Sequence, residues 1–527
     1  MSDSLACVPQ EILEHIAFFV ATSTFLGPPK GILPLLLANH TIHSHLAPSS
    51  NPHLYARIFV TKFDVGHAAR RLGPDALSSG ALSDELQRRC TCLTRIRRRS
   101  DSKVPRDPLF VYDEGPLRSL LWTAYLMMLE NDGNNLEQLR SYAGMDQWLK
   151  EYWFDPSGSS LATLSVRMDA WPPGNMQNTL AMWLFWFLLR PDTFERNTPT
   201  CRNAVTILKL VALGAHKYEL ASPSWTKFLP TGNGFETTPT ILYSKSKNLI
   251  PPPMSAPAIL SFLALTDKLP GLDTSSSMTS PLRRQCHEWE SEWDRCRNLG
   301  TSEFGNILTG SFIPGSIQGV WDGIFTYTEF TAYAALLAGA PPAILHRGLV
   351  AQHSQTWKLR EYHFTTASAA HPHNHSNGPS ASPLGGGDAL KAYFPDGTQI
   401  FDRASAIEVL EPGRPESIFY NRAEIVDVAS TVASDGEVSL DHQVKDVIII
   451  GEGHSAWGEF NLLGRVRPCD GFVSLCKTYT DGDRGKWLYR SFLVGNAQGS
   501  LSGRWRDVLS PQSVPGYEGC FAMSHRR

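Results

Sequence analysis

The chain has 527 residues, and 42% of them belong to the apolar set AVILMFWYC, which excludes a chain that is disordered throughout. Its 48 Lys and Arg residues nearly balance 51 Asp and Glu residues, and the net charge of −3 excludes a general attraction to nucleic acid or acidic membrane. At about 150 residues per domain, this length predicts three or four folding units.

The beginning of the chain, the longest apolar run and the cysteines indicate an intracellular protein. The first residues include Asp3, Glu11 and Glu14 and no basic stretch, so no secretory leader is expected. The apolar run at 180–189 is about half as long as a membrane span, so we predict a buried helix and no membrane contact. Nine cysteines without paired CxxC motifs favour the reducing cytoplasm or nucleus, and we predict no metal and no cofactor.

Residues 1–65 predict three short amphipathic helices, the first entered at Pro9 and the third capped by Asn51 and begun by Pro52. The apolar positions of the three helices are Ile12, Leu13, Ile16, Phe19 and Val20, then Leu35, Ala38, Ile42 and Leu46, then Leu54, Ile58 and Phe59. Residues 33–37 are nearly all apolar, more than so small a bundle can bury. The surplus either packs on the rest of the chain or docks another protein.

Three segments in this region, 8–16, 35–42 and 54–59, resemble an F-box in the same order. The whole-chain layout also resembles a large family of basidiomycete F-box proteins. The resemblance implies docking to the Skp adaptor of an SCF ubiquitin ligase, and through it to cullin, while the rest of the chain selects an unknown protein substrate. The residues that it assigns to adaptor binding are Pro9, Ile12, Leu13, Ile16, Leu35, Leu36, Ile42, Leu54 and Ile58.

Residues 66–310 predict an α-helical scaffold without chemistry of its own. Helical spacing marks helices near 117–129, 180–189 and 201–213. The arginines at 88, 89, 95 and 97–99 could bind nucleic acid, but no aromatic residues are interleaved with them. We therefore favour a solvated helix face that leads into a linker, with no nucleic-acid partner.

Residues 311–527 predict an antiparallel β-barrel, so the whole chain is expected to be an α+β multidomain protein. Short strands at 319–327, 447–450, 458–462, 472–475, 487–490 and 501–505 are separated by regular turns. The segment 367–387 is rich in Ser, His, Gly and Pro and predicts a mobile loop rather than a metal site. The tryptophan and glycine placement resembles a calycin-type barrel and the C-terminal barrel with which some F-box-only proteins hold substrate.

The predicted barrel carries two candidate sites and leaves three functions open. Aromatic and arginine side chains either fill the core or line a mouth that binds peptide; these are Trp321, Trp457, Trp487, Trp505, Arg465 and Arg467. Gly453-His454-Ser455 resembles the nucleophile elbow of serine hydrolases, although the following residues favour a β-hairpin. We therefore predict a non-catalytic substrate receptor, with a hydrolase using Ser455 or a lipocalin-like small-ligand binder as alternatives.

Overall fold

The computed structural model describes residues 8–104, 114–230, 237–266, 289–299, 308, 310–348, 350–365, 384–423, 443–482, 484–495 and 499–526. Its fold is α+β, with helices before a closed eight-stranded antiparallel β-barrel that carries extra strands. Among the helices of these residues, none has the length and apolar character needed to cross a bilayer.

The N-terminal segment contains four helices where the sequence predicted three: α1 (Gln10–Thr22), α2 (Leu33–Leu36), α3 (His40–Leu46) and α4 (Pro52–Lys62). The predicted second helix is divided because Asn39 caps α3, its side-chain oxygen accepting a hydrogen bond from Ile42 N at 2.8 Å. The expected cap at Asn51 is confirmed, since its side chain accepts from Leu54 N at 3.1 Å.

A helical layer follows, and the three helices predicted within it are confirmed. Its elements are α5 (Gly66–Leu72), α6 (Ser79–Arg97), α7 (Glu114–Leu129), α8 (Asn134–Glu137), α9 (Met145–Phe154), α10 (Ala162–Arg167), α11 (Met176–Leu188), α12 (Pro199–Leu213), the hairpin of β1 (Thr238–Leu242) and β2 (Lys245–Leu249), α13 (Ser255–Leu265) and α14 (Glu290–Leu299). Helix α11 is apolar on nearly all sides, and most of its surface accordingly packs against other helices.

Helix α6 corrects the interpretation of the arginine cluster as a solvated face at one position, Arg89, whereas Arg97 and Arg98 are exposed. Arg89 is 1% exposed and donates hydrogen bonds to Glu85 at 2.9 Å and to the Tyr243 hydroxyl at 3.0 Å. Its guanidinium also pairs with Glu130 of α7. The Arg89 side chain of this helix is therefore turned into the helical layer.

The C-terminal part is the predicted antiparallel barrel. Its elements in chain order are β3 (Gly319–Thr328), α15 (Phe330–Leu337), α16 (Ala343–Arg347), β4 (Val350–Thr365), β5 (Gln399–Asp402), β6 (Ala406–Leu410), β7 (Ile418–Arg422), β8 (Val444–Ser455), β9 (Gly458–Val466), β10 (Val473–Tyr479), β11 (Lys486–Val494), β12 (Ser500–Asp507) and β13 (Glu518–His525). The barrel order is β3-β13-β12-β11-β10-β9-β8-β4, and β4 pairs with β3 to close it. Strands β7, β6 and β5 extend the sheet beside β4.

The outer face of the barrel packs directly on the helical layer. Arg504 of β12 is 2% exposed and donates to the carbonyls of Val211 and Ala212, at 2.9 and 3.2 Å. Ser502 donates to Ala256 O of α13 at 2.9 Å. One continuous apolar core consequently runs from α1 through the helical layer to the outer side of β13.

The predicted mobile loop, 367–387, lies mostly outside the described residues. Its last four residues are described, and Gly385, Gly386 and Gly387 among them are exposed. Leu384 is buried, and Gly385 O accepts a hydrogen bond from Arg465 at 2.7 Å. The barrel wall therefore holds this end of the segment at Leu384 and Gly385, and the mobility of the loop stays a prediction.

Candidate functional site

The first candidate site is an apolar surface on the N-terminal helices. Ile12, Ile16 and Phe19 lie one turn apart along α1, and they are 49%, 39% and 67% exposed. On α2 and just after it, Leu33 and Leu37 are 54% and 74% exposed. We call these five side chains the N-terminal apolar surface. Among the described residues, no later part of the chain covers these five side chains, whereas Leu35 and Leu36 of the predicted surplus pack against the core.

The other face of the same helices holds the bundle together. Leu13, Ala17 and Ala21 of α1 are at most 2% exposed and belong to the continuous core. Arg57 of α4 lies over the Phe18 ring at 4.4 Å, and Glu14 accepts a hydrogen bond from Asn51 at 2.7 Å. These contacts fix the rotation of α1, and with it the side of the helix that faces solvent.

The predicted adaptor-binding residues divide between these two faces. Pro9, Ile12 and Ile16 are exposed, and Leu35 and Leu36 are partly buried. The other four are core residues, each at most 2% exposed; they are Leu13, Ile42, Leu54 and Ile58. Because these four side chains are enclosed, they have no exposed area with which to contact a partner. In this structure they belong to the packing beneath the surface.

The second candidate site is one end of the β-barrel. At the opposite end, the segment before β3 folds across the opening, with Phe312 and Ile317 in the barrel core. Buried Glu361 accepts hydrogen bonds there from Gly315 N at 2.7 Å and Ile317 N at 2.5 Å. A ligand would therefore enter the barrel from the other end, which the β8–β9 and β10–β11 turns form.

Four rings gather at that end, and we call them the mouth cluster: Phe325, Tyr327, His353 and Trp457. The Trp457 ring centroid lies 5.1 Å from Phe325, 5.2 Å from His353 and 5.8 Å from Tyr327. Tyr327 and His353 stack at 5.6 Å, nearly parallel. Trp457 occupies the turn between β8 and β9 and is 37% exposed, so the cluster forms a layer between solvent and the barrel interior.

Lys477 lies beneath this layer. Its side chain points into the barrel, and the residue is 1% exposed. The ammonium nitrogen, Nζ, lies 3.7 Å from the Phe460 ring centroid, 4.8 Å from Tyr479 and 5.4 Å from Phe325. Its hydrogen-bond acceptor is Gln355 Oε1, at 3.5 Å. Burial lowers the pKa of Lys477 from its ordinary value of 10.5 to about 7, because the aromatic interior solvates an ammonium ion poorly.

The four predicted tryptophans occupy different levels of the barrel. Trp321 is fully buried and donates to Ile317 O at the closed end, at 2.8 Å. Trp505 is 4% exposed and donates to Thr326 O at 2.9 Å, with Trp487 packed edge-on against it at 5.2 Å. Trp457 belongs to the mouth cluster. The structure therefore places Trp457 and the partly buried Trp487 toward the end that carries the mouth cluster, whereas Trp321 and Trp505 are enclosed.

The two predicted arginines hold the protein's own backbone. Arg465 is fully buried, pairs with Asp446 at 2.8 Å and donates to Tyr393 O at 2.7 Å. Arg467 is also fully buried, pairs with Asp470 at 2.6 Å and donates to Ser224 O at 2.8 Å. Both side chains point away from the barrel interior, so they attach the barrel to its surroundings and do not line the mouth.

The serine predicted as a possible nucleophile lies in a β-hairpin. Ser455 ends β8, and β9 begins at Gly458, so the chain turns from strand to strand rather than from strand to helix. Its hydroxyl oxygen accepts from Trp457 N at 3.3 Å. Within the described part of the chain, no histidine or carboxylate forms a hydrogen bond with this hydroxyl. Among the residues that the structure describes, none is therefore placed as the base that activates a serine nucleophile.

Comparison with known proteins identifies no family. No family model, no curated protein and no solved structure matches this chain. The two sites are therefore interpreted from their own residues. Lys477 was not among the predicted site residues, although the sequence carries a signal for it. Within 473–479 it falls on the same face of the strand as Val473, Leu475 and Tyr479, which face inward.

Proposed function

We propose that this protein is the substrate receptor of an SCF-type ubiquitin ligase. In this proposal the N-terminal helices form an F-box that docks the Skp adaptor, and through it cullin, while the calycin-like barrel holds the target protein. The chain supplies binding surfaces and no catalytic group. In this proposal the assembly acts in the cytoplasm or nucleus.

The observation that carries the proposal is the N-terminal apolar surface. A short amphipathic helix normally buries one apolar face and leaves a polar face in water. Helix α1 instead has Leu13 and Ala17 in the core and Ile12, Ile16 and Phe19 in solvent. A partner that covers these side chains would remove a cost of exposure of about 25 cal/mol for each Å² of apolar area.

The test uses exposed residues, because a charge at Phe19 or Ile16 leaves the core of the bundle intact. In a pull-down with purified Skp adaptor, Phe19→Asp and the double variant with Ile16→Asp are expected to lose binding by at least about tenfold, since each would bury an unpaired carboxylate at the contact. Phe330→Asp is the matched control: Phe330 is 65% exposed, against 67% for Phe19, and lies on α15 beside the barrel. It should bind like the wild type.

Two results would contradict adaptor docking at this surface. One is adaptor binding that is unchanged in the double variant, and the other is an equal loss in Phe330→Asp. A charge at Leu13 is a poorer test, because Leu13 is 2% exposed and its replacement would disturb the fold itself.

The barrel mouth is the part that we assign to the target protein. Aromatic side chains at a partly open end offer large contact area at little cost in side-chain entropy. We expect Trp457→Ala to reduce capture of co-purifying proteins while adaptor binding stays unchanged. Retention of every captured partner by a folded Trp457→Ala protein would contradict this assignment. The alternative of a small-ligand barrel has one observation in its favour, the buried ammonium group of Lys477.

A further inference from the structure

The buried ammonium group of Lys477 lacks a negatively charged partner. In the part of the chain that the structure describes, no carboxylate lies within the ion-pairing distance of 4.0 Å from Nζ. The neighbours of Nζ are the faces of Phe460, Tyr479 and Phe325, the more distant ring of Tyr489 at 5.5 Å, and one amide oxygen at 3.5 Å. Aromatic faces attract a cation, but they do not neutralise it.

Other buried cations of this protein differ from Lys477 in this respect. Arg89, Arg465 and Arg467 each pair with a buried carboxylate, at Glu85, Asp446 and Asp470. Buried Lys62 donates to the Thr24 and Phe25 carbonyls at 2.6 and 3.2 Å. The fold thus supplies an anion or close carbonyls at these positions, and a single distant amide oxygen to Lys477.

Lys477 is also close to the end of the barrel that carries the mouth cluster. Tyr479, two residues further along, is the last residue of β10 and pairs with Phe460. The Phe325 ring, 5.4 Å from Nζ, is in contact with Trp457, whose ring centroid is 5.1 Å away and which is 37% exposed. The Phe325 ring therefore connects the ammonium group to a partly exposed ring of the mouth cluster.

We propose that the barrel mouth binds an apolar ligand that ends in a carboxylate, with Lys477 Nζ as the counter-ion of that carboxylate. The mouth cluster packs on the apolar part of the ligand, and Trp457 moves to admit it. A carboxylate of this kind belongs either to a free alkyl or aromatic acid or to the C-terminus of a peptide chain. The proposal is independent of adaptor docking.

The test compares an acid with its neutral ester on the purified full-length chain. cis-Parinaric acid is a fluorescent polyene carboxylate, and its methyl ester keeps the same apolar chain without the charge. In fluorescence titrations at pH 6.5, we expect the wild type to bind the acid at least about tenfold more tightly than the ester, because a charge-assisted pair forms only with the acid. Lys477→Met should remove this preference, and Lys358→Met, on the exposed outer face of β4, should retain it.

A second pair of probes distinguishes the two sources of carboxylate. An acetylated octapeptide that ends in phenylalanine is titrated as the free acid and as the C-terminal amide. A preference for the free acid that disappears in Lys477→Met supports the proposal and assigns a chain terminus. The same behaviour with parinaric acid alone supports the proposal and assigns a small acid. If neither acid is preferred over its neutral partner, or if Lys477→Met retains the preference, the proposal is overturned.

A third measurement needs no variant, so it remains decisive if Lys477→Met does not fold. Trinitrobenzenesulfonate labels uncharged amines, and mass spectrometry quantifies labelling at Lys477 and at Lys358 in the wild type. The preferred acid is expected to reduce labelling of Lys477 at least about threefold, since pairing keeps the amine protonated and covered. Its neutral partner should not. Equal protection by the two probes would overturn the proposal.

Discussion

Replacing Lys477 with methionine should stabilise the protein, and the size of the effect follows from its surroundings. In the unfolded chain the lysine has its ordinary pKa of 10.5, whereas burial lowers its pKa to about 7 in the fold. Each pKa unit corresponds to about 1.4 kcal/mol, so keeping the proton inside the barrel costs about 5 kcal/mol below pH 7. Methionine has a similar length and packs well on aromatic rings. Lys477→Met is therefore expected to raise the free energy of unfolding by about 5 kcal/mol at pH 6.5.

The effect has a characteristic dependence on pH. Between pH 7 and 10.5 the unfolded chain binds more protons at this site than the folded chain, so the stability of the wild type rises with pH in this window. The variant lacks this contribution, and its advantage should shrink to about 1 kcal/mol at pH 9.5. Urea unfolding at both pH values, followed by tryptophan fluorescence, measures the difference. Lys358→Met controls for loss of a lysine and should change stability by less than about 0.5 kcal/mol at either pH. Lower stability of Lys477→Met at pH 6.5, or an advantage that does not change with pH, would refute the reasoning.

Three further predictions concern the core and the ion pairs. Leu13→Ala should lower the free energy of unfolding by about 2–4 kcal/mol, whereas Ile12→Ala, on the exposed side of the same helix, should change it by less than about 1 kcal/mol; equal losses in urea unfolding would contradict the orientation of α1. Burial by itself lowers the pKa of His67, but hydrogen bonds to Asp132 and Glu290 outweigh it and raise the pKa, so the stabilisation by His67 is complete below about pH 6.5 and is lost as pH rises through the pKa of the folded state. His67→Gln should therefore be more destabilising at pH 6 than at pH 8.5 in urea unfolding. A loss of stability that does not depend on pH would contradict this. Arg467→Met should leave a carboxylate buried without its cation and cost about 3–5 kcal/mol, with faster amide hydrogen exchange at 223–227; unchanged exchange there would show that Arg467 does not attach this segment.

The sequence predicts those strands in which one face is apolar and the turns are clear. Strand β3 and the strands from β8 to β12 lie where alternation and Gly-rich turns indicated them. Strand β13 gave no such signal, because Cys520 and Ala522 pack on the helical layer while Phe521 and Met523 face the barrel core, so both faces are apolar. Strand β4 was missed because inward positions such as His353 and Gln355 are polar, which disrupts the alternation that marks a half-buried strand.

The candidate sites were harder to predict than the strands, for a related reason. From sequence alone, an arginine is expected at the surface or in a binding site. Arg465 and Arg467 are instead buried, and they donate hydrogen bonds to backbone carbonyls of distant segments. Likewise, helical spacing groups Ile12 with Leu13 as one apolar stripe, and the packing of α4 against α1 decides which of the two faces solvent. In both cases tertiary contacts determine the role of the residue, and local sequence does not contain them.

The order of the strands has a consequence for synthesis of the protein. Phe325 of β3 pairs with Phe521 of β13, which is translated about 200 residues later, so one edge of β3 remains unpaired until the last strand leaves the ribosome. The packing of the helical layer also remains incomplete until then, because α12 and α13 pack on β12 and β13. A nascent chain stalled before β13 would thus present an open sheet and an uncovered apolar wall to chaperones, and premature termination would affect both halves of the molecule at once.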